Sequence, residues 1–285
     1  METKITRGEK QVIIGGGQPT VLIGERINPA GKKKLAESLK AGSMDIVREE
    51  ALKQVKAGAD IIDVNVGLFG VDEATLLPRA VKTVMETVDV PLCIDTANGQ
   101  ALENALKIYD GKALINSVSG EEKSLARVLP LIKQYNAAVI GLAQDDEGIP
   151  KSAERRFQIA EKIVKRAEAA GIPRENIIID CMAFAIGAEP ASAVDVLNAI
   201  RRITAELGVN TTIGASNVSF GLPDRELINN AWVAMAIGAG ATCLIVDVAK
   251  VRSSVLAADL VMALDKRARR YVSAFRQRQA EAPKA

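Results

Sequence analysis

The chain has 285 residues, 48% hydrophobic and 25% charged, with 37 Lys and Arg against 35 Asp and Glu and not one histidine. The near-neutral balance gives no field to hold nucleic acid or an anionic membrane, and 3% aromatics are too few for a base-stacking platform. Without histidine, and with only Cys93, Cys181 and Cys243 far apart, the common zinc sets, a Ser-His or Cys-His nucleophile pair and a disulfide framework are excluded.

No metal site is therefore expected, and the three thiols suit a reducing compartment. The first segment, METKITRGEKQ (1–11), is charged and has no apolar core of signal-peptide length. No apolar run reaches the ~20 residues needed to span a bilayer, so a cytoplasmic location is expected. Next comes an extended segment (11–14) and a glycine triplet (15–17), read as a turn in a plug or hairpin at the bottom of the fold.

Eight short apolar runs follow. They are VLIGE (21–25), IIDVNVG (61–67), PLCIDT (91–96), ALINSVS (113–119), AVIGLAQ (138–144), IIIDCMA (177–183), TIGASNV (212–218) and CLIVDV (243–248). Runs without alternation suit parallel strands buried on both faces. Amphipathic stretches of helical period lie between them, such as 45–57, 74–88, 152–170 and 193–207, with stops expected at Gly58, Gly111, Gly171, Gly208 and Gly238. The polar end, 275–285, is expected to fray.

Eight strand–helix units in ~250 residues predict a (β/α)8 TIM barrel in one domain, 1–285. A doubly wound sheet would place a Gly-rich turn after its first strand, whereas this triplet precedes Val21.

Barrel active sites lie at the C-terminal ends of the strands. Here the runs end on Glu25 and Asn28, Asp63 and Asn65, Asp95 and Asn98, Asn116 and Ser117, Gln144 and Asp145, Asp180, Ser216 and Asn217, and Asp247. Helix capping accounts for Asn98, Ser119 and Asp224, each just before a helical stretch. It accounts poorly for Asp95, Asn116, Asp180 and Asn217, which sit inside apolar text where an unpartnered polar group costs a few kcal/mol. A ring of Asp and Asn suits a flat heterocycle with an amidine edge and a lactam, groups that a pterin has. Sugars lack an aromatic platform here, and phosphate lacks glycine-rich backbone near the seventh strand.

GERINPAGKK (24–33), DVNVG (63–67), CIDTAN (93–98), INSVSGE (115–121) and GASNVSFGLPDR (214–225) together resemble the pterin-binding methyltransferases, and among them the methyltetrahydrofolate:corrinoid-protein methyltransferase family. The five motifs run in order through nearly the whole chain, from Val21 to about Phe275. The resemblance implies a dihydropteroate-synthase-like barrel holding tetrahydrofolate or 5-methyltetrahydrofolate. Asp95, Asn116 and Asp180 match the family's pterin ligands, and Asn217 matches the Asn that reaches N5. Asn217, Asp95 and Asp180 are thus the catalytic candidates. Glu25, Asn28, Asp63, Asn65, Gln144 and Ser216 complete the candidate binding ring.

The same resemblance implies methyl transfer between tetrahydrofolate and a corrinoid protein, of the kind found in anaerobic demethylation systems. The cobalamin would arrive on that partner, because this chain has no His for the cobalt. Family relatives suggest a homodimer. Two other readings stay open: a dihydropteroate-synthase-like enzyme, although SNVS replaces its strand-seven Lys, and a pterin carrier without turnover. Lys32, Lys33 and Lys34 are either a solvated loop or an attractor for the folate glutamate tail or an acidic partner surface, with Arg225 and Arg252 as similar candidates. Cys181 reads as a small buried hydrophobe, and Trp232 as a packing or subunit-interface residue.

Overall fold

In the computed structural model, which describes residues 1–281, the apolar runs become eight parallel strands around one axis. They are β3 (Val21–Ile27), β4 (Ile61–Val64), β5 (Leu92–Asp95), β6 (Leu114–Ser119), β7 (Ala138–Leu142), β8 (Ile177–Asp180), β9 (Asn210–Thr212) and β10 (Cys243–Val246). β10 pairs in parallel with β3, and the seam between β9 and β10 is drawn together by Thr242 N–H on Thr211 O and Ile245 N–H on Ile213 O. The result is the expected eight-stranded (β/α)8 barrel. Its strands read as unbroken apolar text because one face meets the axis and the other meets helices.

Those helices are α1 (Lys33–Lys40), α2 (Asp45–Ala57), α3 (Glu73–Thr87), α4 (Gly99–Ile108), α5 (Glu122–Gln134), α6 (Ala153–Ala169), α7 (Ser192–Arg202), α8 (Arg225–Ala239), α9 (Val248–Val261) and α10 (Arg269–Glu281). α2 ends where Gly58, at φ 98°, takes the left-handed conformation expected of a helix stop. Gly238 is not a stop. α8 runs through it, and Gly240, at φ 114°, ends the helix instead. The stretch 193–207 starts as α7 and finishes in a π turn, Ile203–Leu207, before Gly208. The end expected to fray is helical as far as Glu281, and residues 282–285 lie outside the described residues. Among the described residues no helix is long and apolar enough to cross a membrane.

The hairpin exists, but its turn is Gly8–Glu9 and the charged first segment forms its first strand; the glycine triplet ends the second strand and turns the chain toward β3. β1 (Glu2–Arg7) pairs antiparallel with β2 (Lys10–Gly15). Its bonds reach residues at the starts of strands: Thr6 N–H to Lys112 O at 3.0 Å, and Asn210 Nδ2 to Ile14 O at 3.1 Å. Ile5 and Ile14 are fully buried among axis-facing residues such as Ile23, Ile61, Cys93, Ile140 and Ile178. The hairpin is therefore a plug at the N-terminal end of the barrel. Gly111, at φ 134°, marks its crossing, since a Cβ there would lie 2.4 Å from Thr6 O. Ile14→Ala is expected to destabilise the protein by about 2–5 kcal/mol in urea denaturation, with ligand affinity of the folded fraction unchanged. A loss below 1 kcal/mol would show that the plug is not packed as described.

Six strands end earlier than their apolar text, β4 and β9 among them. β4 stops at Val64 because the Asn65 side chain accepts Gly67 N–H at 2.8 Å and turns the chain. β9 stops at Thr212 rather than continuing to Val218. Beyond it Ala215–Asn217 form a single 3-10 turn, so Asn217 is not part of a strand.

Candidate active site

Register brings one polar cluster together near the ends of β4 and β5 and at the middle of β6. Asp63 lies opposite Cys93, and Asp95 lies opposite Asn116. Asn116 Nδ2 donates to Asp63 Oδ1 at 3.2 Å. Burial pushes the Asp63 carboxyl well above the usual carboxylate range, and the neighbouring Asp95 charge adds to this. Asp95 is pushed up to about 6, mainly by burial, with the Asn65 amide opposing and Glu73 reinforcing the shift. Both carboxyls are raised by burial, Asp63 further than Asp95.

Asp180 ends β8 and is 6% exposed. Its carboxylate accepts Met182 N–H at 2.8 Å and the N–H of Gly214, while burial pushes it up to about 6. The loop beyond is held by Arg156, which sequence reading missed. Fully buried on α6, Arg156 donates to the carbonyls of Cys181 at 2.9 Å, Lys151 at 3.0 Å and Met182 at 3.2 Å. The signal was present: Arg156 shares a helical face with the buried Ile159, Ala160 and Ile163. Cys181 packs in the core between strands and helices, and burial raises its thiol far from any reactive range.

A second cluster forms from β3 and the turn after β9. Ser216 Oγ donates to Glu25 Oε1 at 2.6 Å, and Asn217 beside it is exposed. Lys32 is not a free surface charge. Its ammonium donates to the carbonyls of Glu25 at 3.3 Å and Asn28 at 3.2 Å, and burial lowers its pKa. Asn28 itself is spent on a turn, accepting Ala30 N–H at 3.0 Å. Arg225 is also committed, to Ser216 O at 2.7 Å and Ser219 Oγ at 3.0 Å.

Of the remaining candidates Gln144 and Asp145 stand apart from both clusters, while Asp247 borders the second, facing Glu25. Gln144 receives Gly120 N–H on its backbone carbonyl at 2.8 Å, and Asp145 pairs with Arg155 at 2.7 Å. Asp247 lies 3.7 Å from Arg26. Arg252 is not at the mouth, since it packs against Gly58 at the far end of α2. Asn98 caps α4, and Ser119 Oγ accepts Glu121 N–H at 3.4 Å. Asp224 occupies the cap position of α8 without a side-chain cap bond. Trp232 is buried, in keeping with a packing role.

Space alone does not find this site. A cavity of about 910 Å³ lies at the plugged end, lined by Arg7, Lys82, Met85 and Asp110. Its Lys10 and Lys82 are already paired with Asp89 and Glu86. The convergent buried carboxyls lie at the other end.

The model of a pterin-binding enzyme matches residues 24–247. A methylcorrinoid:tetrahydrofolate methyltransferase of Eubacterium limosum is 30% identical over 267 residues, covering 90% of this chain and 96% of that protein. The methionine synthase of Mycobacterium leprae (strain TN) is 30% identical over 251 residues, covering 82% of this chain but only 21% of the synthase. Among solved structures, Xanthomonas albilineans dihydropteroate synthase superposes with TM-score 0.71 at 21% identity, covering 93% of this chain and 100% of that one. That likeness is one of fold. By sequence the chain belongs to the pterin-binding enzymes, and within them to the family of the methylcorrinoid:tetrahydrofolate methyltransferase.

Proposed function

We propose that this chain, acting as one barrel domain, moves a methyl group between N5 of tetrahydrofolate and the cobalt of a corrinoid carried by a partner protein. The observation that carries the reading is the convergence of Asp95, Asn116 and Asp180 at one barrel end, beside a turn that presents Asn217. Two carboxylates and a carboxamide fit the amidine and lactam of a pterin. Asn116 spends its Nδ2 on Asp63, which leaves its Oδ1 to accept a ring N–H. Asp95 and Asp180 fix the ring's remaining donors through charge-assisted bonds.

A methyl group on a tertiary amine leaves poorly unless N5 is protonated or strongly hydrogen-bonded. N5 takes a proton from solvent as the methyl leaves for Co(I), so that tetrahydrofolate departs as the neutral amine. Asn217 hydrogen-bonds N5, an interaction worth most when charge changes there in the transition state. The partner's corrinoid supplies the nucleophile, and this chain supplies orientation and a polar, largely dry pocket. With no His in the sequence, the cobalt's lower ligand belongs to the partner. Phe69 and Phe220, 97% and 70% exposed in loops that follow β4 and β9, offer apolar contacts on the rim for it. We place the enzyme in the cytoplasm as a homodimer.

The test is direct. Mixed with 5-methyltetrahydrofolate and cob(I)alamin, the protein is expected to bleach the Co(I) absorbance in proportion to enzyme concentration. Folate binding without bleaching would instead identify a carrier, and this reading would fall. A dihydropteroate synthase would condense a pterin diphosphate with 4-aminobenzoate, and turnover of that pair would overturn it as well.

A further inference from the structure

We propose that Glu25 is a positioning residue: by holding Ser216 it sets where Asn217 stands over the barrel mouth. The inference rests on the role just given to Asn217. It recasts Glu25 and Ser216, both candidate pterin ligands by sequence, as parts of the mount rather than of the pocket wall.

The problem they solve is local. β9 ends at Thr212, so no strand ladder fixes the Ala215–Asn217 turn, and Asn217 itself is exposed. An exposed side chain on a single turn would sample several positions unless its backbone were held. Three ties hold it. At the start of the turn, Gly214 bridges to Ile245 and gives its N–H to Asp180. On the outer side, Arg225 takes the Ser216 carbonyl at 2.7 Å and Ser219 Oγ at 3.0 Å. On the inner side, Ser216 Oγ reaches Glu25 Oε1 at 2.6 Å, tying the turn to β3 beyond β10 in the ring. Ser216 is thus gripped by both its carbonyl and its hydroxyl, immediately before Asn217.

Glu25 is in turn fixed where it stands. Lys32 from the start of α1 bonds its carbonyl, and the charges facing its carboxyl are Lys32, Arg26 and Asp247. A hollow of about 200 Å³ behind the turn brings Arg225, Glu226 and Lys250 to the same wall. Burial raises the Glu25 pKa, and the Ser216 hydroxyl is the largest influence opposing that. Gly214 leaves room for the Asn217 amide nitrogen, which would stand 3.1 Å from a Cβ there. The ties to Ser216 and Gly214 hold the backbone that carries Asn217, and none requires Glu25 to touch the ligand.

The test uses the full-length protein with single-turnover bleaching of cob(I)alamin by 5-methyltetrahydrofolate, alongside calorimetric affinity for tetrahydrofolate. Glu25→Ala and Ser216→Ala are each expected to slow transfer by about 10- to 100-fold, the scale of a small misplacement of a reacting group, with affinity within about threefold of wild type. The double variant should be no slower than either single, because both remove one bond. Glu25→Gln keeps an acceptor oxygen and should recover most of the rate lost in Glu25→Ala. If Glu25→Ala transfers at the wild-type rate, or if its affinity falls as far as its rate, the positioning role is wrong. Should Glu25→Ala fail to fold, Ser216→Ala, which removes only a hydroxyl, decides the question by the same criteria. A wild-type protein that does not bleach Co(I) counts against the proposed function. An active wild type with an unaffected Glu25→Ala counts against this inference alone.

Discussion

Asn217→Ala is expected to slow methyl transfer by about 10²- to 10³-fold, the usual cost of removing one preorganised donor, while tetrahydrofolate affinity stays within about threefold. The split between rate and affinity follows from where the residue sits. Asp95 and Asp180 end β5 and β8 and Asn116 lies in the middle of β6, all within a hydrogen-bonded sheet. In the proposed reading they grip the flat ring in ground state and transition state alike. Asn217 stands apart on an exposed turn, and in that reading it addresses the one atom whose charge changes. An interaction made chiefly in the transition state lowers kcat when lost and leaves binding alone. Single-turnover bleaching and calorimetry on the same preparation separate the two. An unaltered transfer rate would remove Asn217 from the chemistry.

Asp180→Asn is expected to act in opposite directions on stability and on function. The Asp180 carboxyl has a folded-state pKa of about 6, above its ordinary 3.8, because burial penalises the charged form more than the N–H bonds from Met182 and Gly214 favour it. The folded state therefore holds the proton more tightly than the unfolded state. What this contributes to stability is fully present below about pH 4 and is lost as pH rises to about 6. At pH 8 the ionised, buried group costs about 3 kcal/mol relative to its neutral form, at 1.36 kcal/mol per pH unit. Asparagine keeps an acceptor for the backbone N–H groups without that cost. The unliganded variant should gain up to about 3 kcal/mol at pH 8, with the gain shrinking toward zero as pH approaches 4. Affinity for tetrahydrofolate should fall by about 10- to 100-fold, the loss of one charge-assisted bond. Thermal unfolding across pH together with calorimetry tests both halves. A variant destabilised at pH 8 would mean that Asp180 is held mainly by its backbone bonds.

Much of this was legible in the text of the chain. Parallel strands buried on both faces leave uninterrupted apolar runs, so Asp95, Asn116 and Asp180 inside such runs stood out as groups that burial would strain. α2 was readable at both ends because its amphipathic period closes on Gly58. The seventh strand was not readable. TIGASNV has strand composition throughout, yet the chain leaves the sheet at Thr212, and a three-residue turn has no period to display. That is why Asn217 was read as buried and is in fact exposed. Arg156, and the bonding role of Lys32, escaped for a different reason. Their partners are backbone carbonyls, and a carbonyl left unpaired by a loop cannot be seen in side-chain text. Gly238 misled because glycine inside a helix costs only about 1 kcal/mol, which the buried face of α8 readily offsets.

The hairpin of β1 and β2 shapes the traffic of the enzyme as well as its stability. Ile5 and Ile14 fill one end of the barrel axis. In the function proposed above, folate and the corrinoid partner share the opposite end, so folate would have to be seated before the partner arrives and would leave only after it has gone. Steady-state kinetics should then follow a compulsory order, with excess partner protein inhibiting by holding the door shut.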